Sequence, residues 1–228
     1  NNSKTVTVSN SSDLPMGNLI IPSSVTFNNV QYGVTIIAGY AFSGCTALTS
    51  VSIPEGVTSI GENAFQGCTS LMSIVIPESV TTIYDLAFSG CNGLFSIRVK
   101  DGNSKYDSRN NCNAIIETAT NTIVIGCKNT IIPNTVTTIG SCAFWRCTDL
   151  TAVSIPEGVT SIRSSAFSGC TGLTSVIIPE SVPTIGRCAF HSCTSLMSVI
   201  IPEGVTTIED GAFQGCTGLT SVIIPNSI

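Results

Sequence analysis

Eleven cysteines and one histidine are the side chains of this 228-residue chain that could act as nucleophiles or soft metal ligands. A cysteine beside a histidine can serve as an activated nucleophile, and clustered cysteines and histidines bind zinc. Zinc sites favour a Cys-x-x-Cys spacing, which the chain lacks. His191 stands in AFHSC between Cys188 and Cys193, at a position where most equivalent stretches carry Ser or Gln. This setting predicts a surface histidine with no catalytic or metal-binding role.

Seven cysteines recur every 23 residues, with one interruption, each three residues after an Ala-Phe pair and three before a leucine. They are Cys45, Cys68, Cys91, Cys147, Cys170, Cys193 and Cys216. Because apolar positions with the same period flank them, we expect a ladder of buried, reduced thiols that act as small apolar residues. Neighbours one strand spacing apart would have parallel Cβ vectors, whereas a disulfide needs converging ones.

The remaining cysteines allow one disulfide. Cys142 and Cys188 precede Ala-Phe pairs two repeats apart, which is too far to bridge. Cys112 and Cys127 flank one predicted hairpin and could pair. Alternatively, Cys127 is a thiol at a leucine position, because counting back from the next Ile-Pro pair places it there and puts Val124 at the cysteine position.

These residues belong to a repeat, C-x-x-L-x-x-V-x-I-P-x-x-V-T-x-I-x-x-x-A-F-x-x, that fills most of the chain. The L-x-x-V-x-I run predicts a half-buried strand, which the proline ends. V-T-x-I predicts a second short strand, and the Ala-Phe segment predicts a helical or 3₁₀ turn. One repeat cannot bury its apolar face alone, but stacked repeats bury a continuous column. The expected fold is therefore a repeat solenoid, mainly β, with about nine parallel main strands.

Two longer repeats interrupt the period. SSVTFNNVQYGVTII predicts a hairpin around Asn28 and Asn29, within an N-terminal capping turn over residues 1–45. NAIIETATNTIVIG predicts a second hairpin, in an irregular turn over residues 99–132 that lacks Ala-Phe. We expect residues 1–228 to form one solenoid domain. Trp145, in AFWRC just after the second hairpin, is expected to pack there or to mark a contact site.

Composition excludes several classes of partner. The chain is 43% hydrophobic and 10% charged, with a net charge of −5 and no basic stripe, which argues against nucleic acid and anionic membrane surfaces. No apolar run is long enough to span a membrane. The chain begins NNSKTVTVSN, so any export signal is expected to have been removed or to lie outside this sequence.

The residue after Ile-Pro is acidic in most repeats, as Glu55, Glu78, Glu157, Glu180 and Glu203. Stacked carboxylates can gather Ca²⁺, but no Asp-rich loop accompanies them, which favours a solvated edge. A glycosidase needs two carboxylates in unlike environments within a cleft. A row of equivalent glutamates does not provide that, so we predict no catalytic residue, no metal site and no cofactor.

The outward positions of the main strands carry most of the functional information. One column holds mostly serine, and its residues are Ser50, Ser73, Ser96, Ala152, Ser175, Ser198 and Ser221. The other becomes aliphatic towards the C-terminus, and its residues are Ser52, Val75, Arg98, Ser154, Ile177, Ile200 and Ile223. The candidate partner-binding residues are therefore Val75, Arg98, Ile177, Ile200 and Ile223, with Ser175, Ser198 and Ser221. The alternative is that β-branched residues simply suit strands.

The stretch LTSVSIPEGVTSIGENAFQGC resembles the BspA-like, or Treponema pallidum-type, leucine-rich repeat. SRNNCNAIIETATNTIVIGCKNTIIP is similar to the interrupting turn of such proteins from gut Bacteroidetes. The resemblance runs from about Leu19 to the end of the chain. It implies a right-handed, curved solenoid that is exported to the cell surface or secreted and binds partners. It implies no shared active site.

Three functions are weighed on this basis. The first is a non-enzymatic adhesion or interaction module that binds a protein or glycan on a host or neighbouring cell. The second is a structural spacer or stalk of a larger surface protein, and an enzyme is the least favoured. The final strand around Ser221–Ile224 is expected to present an open edge. Either the natural protein continues beyond Ile228, or this edge self-associates.

Overall fold

The computed structural model describes residues 4–9 and 14–228, and nearly all of their regular structure is β-strand. The chain divides into two compact units, Asn1–Asp107 (unit 1) and Ser108–Ile228 (unit 2). The predicted repeat of parallel strands is confirmed in both. A single domain over residues 1–228 stays a prediction, and the predicted cap over residues 1–45 falls partly outside the described residues.

The strands of unit 1 are β1 (Thr5–Val8), β2 (Gly17–Ile20), β3 (Ser24–Phe27), β4 (Val30–Ile37), β5 (Leu48–Ser52), β6 (Ser59–Ile60), β7 (Ser73–Ile76), β8 (Thr82–Ile83), β9 (Ser96–Val99) and β10 (Tyr106–Asp107). Unit 2 begins with a 3₁₀ helix over Arg109–Asn111. Its strands are β11 (Ala114–Glu117), β12 (Thr122–Gly126), β13 (Thr138–Ile139), β14 (Ala152–Ser154), β15 (Ser161–Ile162), β16 (Ser175–Ile177), β17 (Thr184–Ile185), β18 (Ser198–Ile200), β19 (Thr207–Ile208) and β20 (Ser221–Ile223).

Each unit has a four-stranded parallel sheet of main strands, in the order β2-β5-β7-β9 or β14-β16-β18-β20. The V-T-x-I stretches form a second row of short parallel strands, β4-β6-β8 in unit 1 and β12-β13-β15-β17-β19 in unit 2. Threonines tie this second row together: the Thr160 hydroxyl donates to the Thr137 carbonyl at 3.3 Å, one repeat away. One repeat therefore contributes one strand to each row.

A stack of phenylalanines fills the space behind the Ala-Phe turns. The ring centroids of Phe144 and Phe167 lie 4.9 Å apart, and those of Phe167 and Phe190 lie 5.2 Å apart. Phe42, Phe65 and Phe88 form the equivalent stack in unit 1. Since stacked rings with this spacing leave no void between repeats, the stack fixes the distance from one turn to the next.

The Ala-Phe segments are 3₁₀-type turns, as predicted. The Cys68 amide donates to the Phe65 carbonyl three residues back. Alternate amides of the same segment instead donate to the following repeat, as from Phe65 to Ala87. This arrangement requires left-handed backbone at two positions of each turn, such as Asn63 (φ 54°) and Gly67 (φ 70°).

Both predicted hairpins are present. β3 and β4 pair antiparallel around Asn28 and Asn29, both with positive φ, and β11 pairs antiparallel with β12. The expected main strand before Ile132 is wrong, because residues 127–131 contain a turn and no strand. Each unit therefore keeps only its four main strands, and the irregular turn contributes to the second row alone.

Candidate functional site

The outward face of β14, β16, β18 and β20 is the most regular surface of unit 2. Ser175, Ser198 and Ser221 stand opposite one another in register, and so do Ile177, Ile200 and Ile223. All six are exposed, and the isoleucines are exposed by 73%, 63% and 56% respectively. We refer to Ile177, Ile200 and Ile223 as the isoleucine stripe.

The alternation of the strand places the stripe outside. In β16 and β18 the central valines, Val176 and Val199, are buried by inward packing. Residues on either side of an inward position must point outward, because successive side chains of a strand face opposite ways. The isoleucines therefore contribute little to the core, and about 25 cal/mol per Å² of their apolar surface remains available for burial by a partner.

The outward face of unit 1 carries the other two predicted contact residues. Val75 and Arg98 stand opposite each other on β7 and β9, and both are exposed. Ile20, opposite Ser52 and 76% exposed, extends the same column on β2 and was missed from the sequence. Ile20 directly precedes Ile21-Pro22, just as Ser52 directly precedes Ile53-Pro54, so the sequence could have assigned it to this column. It was missed because the first repeat is longer than the others.

A second group of exposed apolar residues was also missed. Met72, Phe95 and Met197 each follow a buried leucine of the repeat, and each is 44–57% exposed. The equivalent positions elsewhere carry threonine, as at Thr174 and Thr220. The replacement of threonine by a large apolar residue could have revealed them in the sequence. They were missed because they precede the residues of each strand that alternate between inward and outward positions.

The cysteine ladder lies inside both units. All eleven cysteines are thiols, and six of the seven periodic ones are buried, whereas Cys147 is half-buried. Five of the periodic thiols donate to a phenylalanine carbonyl of the preceding repeat, as Cys170 Sγ does to Phe144 at 3.1 Å and Cys193 Sγ to Phe167 at 3.2 Å. Burial raises the pKa of the Cys147 thiol to about 12. Cys147 is therefore a poor nucleophile, because its thiol stays protonated at neutral pH.

Cys112 and Cys127 are not bridged. Cys112 Sγ donates to the Ala114 carbonyl at 3.8 Å and Cys127 Sγ to the Asn113 carbonyl at 3.4 Å. The Thr130 amide donates to the Cys127 carbonyl, the bond that leucine makes to the ladder cysteine in the regular repeats, so Cys127 takes the place of a ladder cysteine. The assignment of Cys127 to the leucine position and of Val124 to the cysteine position, made by counting back from Ile132-Pro133, is therefore wrong.

The irregular turn explains this shift. Val124 is a half-buried residue of β12, the strand that takes the place of V-T-x-I. The Gly126 amide donates to the Ala143 carbonyl, the bond that phenylalanine makes in the regular turns. The Phe144 ring covers Gly126, since a Cβ there would meet Phe144 Cε1 at 2.1 Å. Cys127 follows directly after the end of β12 at Gly126, so fewer residues separate the second-row strand from the cysteine ladder than in a regular repeat.

The remaining chemical candidates are His191 and the glutamates that follow Ile-Pro. His191 is half-buried, and the two nearest cysteine thiols in sequence donate to backbone carbonyls. In the acidic row, Glu55 forms an ion pair with Lys100 at 2.6 Å, and that hydrogen bond lowers the pKa of Glu55. Glu180 accepts from the Gly204 amide at 2.8 Å. Over residues 4–9 and 14–228, no group of three His, Cys, Asp or Glu side chains is arranged to hold a metal ion.

The chain is similar to solved structures of bacterial leucine-rich repeat proteins. A leucine-rich cell surface protein from Faecalibacterium prausnitzii is 25% identical, with a TM-score of 0.65 over 100% of this chain and 86% of that one. A leucine-rich repeat protein from Bacteroides ovatus is 33% identical, with a TM-score of 0.54 over 92% of this chain and 46% of that one. The pneumococcal vaccine antigen PcpA is 18% identical, with a TM-score of 0.68 over 97% and 75%, and shows the fold alone.

The chain matches no curated protein in sequence. Across the described residues, no helix has the length and apolar character needed to cross a membrane. The family model for the BspA type leucine-rich repeat region matches residues 22–125 and 124–228, with six copies. These two matches cover nearly the whole chain and confirm the resemblance seen in the repeat. The chain therefore belongs to the BspA-type leucine-rich repeat family.

Proposed function

We propose that this protein is a non-enzymatic interaction module, exported to the cell surface or secreted, that binds a macromolecular partner through the outward face of its main strands. The observation that carries the proposal is the isoleucine stripe, three aliphatic side chains in register that no other part of unit 2 covers. The cell-surface relative from Faecalibacterium prausnitzii supports the location.

The partner is a protein or a glycan on a host or neighbouring cell. A flat strand surface makes broad contacts rather than enclosing a small molecule, as is usual for stacked repeats. The serines beside the stripe, Ser175, Ser198 and Ser221, supply hydroxyl groups that can donate and accept hydrogen bonds. Val75 and Arg98 give the unit 1 face a comparable mixture of apolar and polar contacts.

The test is a pull-down of surface proteins and glycans from host mucosal cells with the whole chain. The variant Ile177→Thr, Ile200→Thr, Ile223→Thr keeps β-branched side chains and removes the apolar stripe. Ile131→Thr is the matched control, because Ile131 is 73% exposed, like Ile177, but lies outside the strand face. We expect the triple variant to lose partners that the control retains.

Equal capture by the triple variant and the control would contradict a binding role for the stripe. It would leave the spacer or stalk role, for which the outward serines are sufficient. Self-association through the stripe at β20 is a separate outcome. Sedimentation over a range of concentrations would reveal it as a concentration-dependent species in the parent chain that is absent from the triple variant.

A further inference from the structure

Three exposed arginines lie on the Ala-Phe turns of unit 2, on a different side of the repeat from the main strands. The chain has nine lysines and arginines in total. Three of them, Arg146, Arg163 and Arg187, fall on three consecutive turns and are exposed. The only tryptophan, Trp145, and the only histidine, His191, lie on the same turns. We refer to these five residues as the arginine edge.

Backbone hydrogen bonds hold the three turns side by side. The Arg146 amide donates to the Ser168 carbonyl at 2.8 Å, and the Gly169 amide donates to the His191 carbonyl at 2.7 Å. The Ser165 amide donates to the Arg187 carbonyl at 2.8 Å. The side chains of the edge therefore project from adjacent, rigidly spaced turns, even though they are far apart in sequence.

The arginines are available for a ligand. Among the described residues, the guanidinium groups of Arg163 and Arg187 have no hydrogen-bond or ion-pair partner. The guanidinium carbon of Arg146 lies 4.5 Å from the centroid of the Trp145 ring. Stacking on the ring restricts the arginine while leaving its N–H groups free to bind an anion in a bidentate manner.

Arg146 also departs from the repeat at a conformational cost. Its φ is 56°, in the left-handed region, where most equivalent positions are glycines such as Gly67 (φ 70°) and Gly169 (φ 74°), and one is Ser192 (φ 57°). The neighbouring turn has a glycine, Gly169, beside the Arg146 side chain. A side chain at Gly169 would crowd the arginine, because an added Cβ would lie 3.0 Å from Arg146 Cγ.

We propose that the arginine edge binds an anionic saccharide, one that carries carboxylate or sulfate groups. Guanidinium groups bind such anions bidentately, and the Trp145 ring orients one of them by stacking on Arg146. The small polar residues Ser141 and Ser164 lie exposed on the same turns. None of the exposed large hydrophobic side chains of the described chain lies on this edge, so it offers no apolar anchor for a peptide.

The edge has an acidic border on one side. The Arg187 amide donates to Glu209 Oε2 at 2.6 Å, and Glu209 and Asp210 occupy the following turn. These carboxylates repel an anion, so the ligand is expected to lie towards Arg146 and Arg163. The site therefore favours a short anionic segment over a long polyanion that would cross the acidic turn.

The test measures binding of the whole chain by calorimetry to sulfated heparin oligosaccharides, to oligogalacturonate, to neutral dextran of matched length and to a poly-glutamate peptide. We expect binding to at least one anionic saccharide and none to dextran. The variant Arg146→Gly, Arg163→Gly, Arg187→Ser should weaken that binding by about tenfold or more, the value of a lost charge-assisted hydrogen bond. Each new residue already stands at the equivalent position of another turn, which preserves folding.

Two further variants decide the specificity. Lys4→Ser removes one exposed cation outside the edge and should change saccharide binding by less than about twofold. Trp145→Ser should weaken binding of the saccharide, because it removes the ring on which Arg146 stacks. Absence of saccharide binding, full binding by the triple variant, or tighter binding of poly-glutamate than of both saccharides would each overturn the proposal.

Discussion

The two units share their inward residues and differ in their outward ones. Phe65 in unit 1 and Phe167 in unit 2 occupy the same place in two phenylalanine stacks, and both are fully buried. The outward column, by contrast, pairs Val75 with Arg98 in unit 1 and carries three isoleucines in unit 2. Stacking requires the inward residues to be alike, so the outward residues are where one unit can acquire a function that the other lacks.

The largest expected effect tests the inward half of this comparison. Phe65→Ala and Phe167→Ala each remove a ring stacked between two others. Each should lower the free energy of unfolding by about 3–5 kcal/mol, the usual loss for removing a core aromatic side chain. Urea denaturation followed by circular dichroism measures it. Phe27→Ala, at a residue 66% exposed, is the control and should cost under about 0.5 kcal/mol. A loss below about 1 kcal/mol in either unit would show that its stack is not core.

A smaller effect is expected where the unit 2 stack begins. Gly126→Ala would place a Cβ 2.1 Å from Phe144 Cε1, so the ring must move. Overpacking of this kind typically costs about 1–3 kcal/mol. Gly33→Ala is the matched control in unit 1, since its added Cβ meets no atom within 4 Å. Equal melting temperatures for the two variants would mean that Phe144 does not pack on the glycine.

The smallest expected effect concerns the cysteine ladder and pH. Burial raises the pKa of Cys147 to about 12 and that of Cys45 to about 11, from a value of 9.0. The folded state keeps these thiols protonated where the unfolded state ionises them. Their contribution to stability is therefore complete below pH 9 and is lost as the pH rises through the folded pKa. Unfolding under reducing conditions between pH 8 and 11 should show this decline.

Alanine variants isolate the contribution of each thiol. Cys147→Ala and Cys45→Ala should both flatten the alkaline decline, with the greater flattening in Cys147→Ala because its pKa is raised further. Lysine and tyrosine titration affects all variants alike and cancels in the difference. A decline as steep in both variants as in the parent would refute the buried, protonated state of these two thiols.

The sequence predicts the regular part of the fold well, for a physical reason. A constant period can persist only if each repeat packs on an equivalent neighbour, so Phe167, Cys170 and Val176 could be assigned to the interior from spacing alone. The outward direction of Ile177 and Ile200 followed from strand alternation. Both assignments depend on local geometry that every repeat shares.

The irregular turn could not be predicted in the same way. Counting positions assumes a fixed number of residues between columns, and the hairpin of β11 and β12 changes that number, which is why Cys127 was placed at a leucine position. The arginine edge was missed for a related reason. Arg146, Arg163 and Arg187 occupy different positions within their repeats, so no single column of the sequence shows them together.

The direction of the hydrogen bonds between Ala-Phe turns has an electrical consequence. In unit 2 the phenylalanine amides of the turns donate to the following turn, from Phe144 to Ala166, Phe167 to Ala189 and Phe190 to Ala212. Peptide dipoles aligned in this way add, as they do along a helix, and leave partial positive charge on the side where N–H groups point. The row of turns is thus a macrodipole whose positive pole faces the later repeats. Glu209 and Asp210 lie on the turn that accepts the Phe190 amide, the side on which negative charge is stabilised.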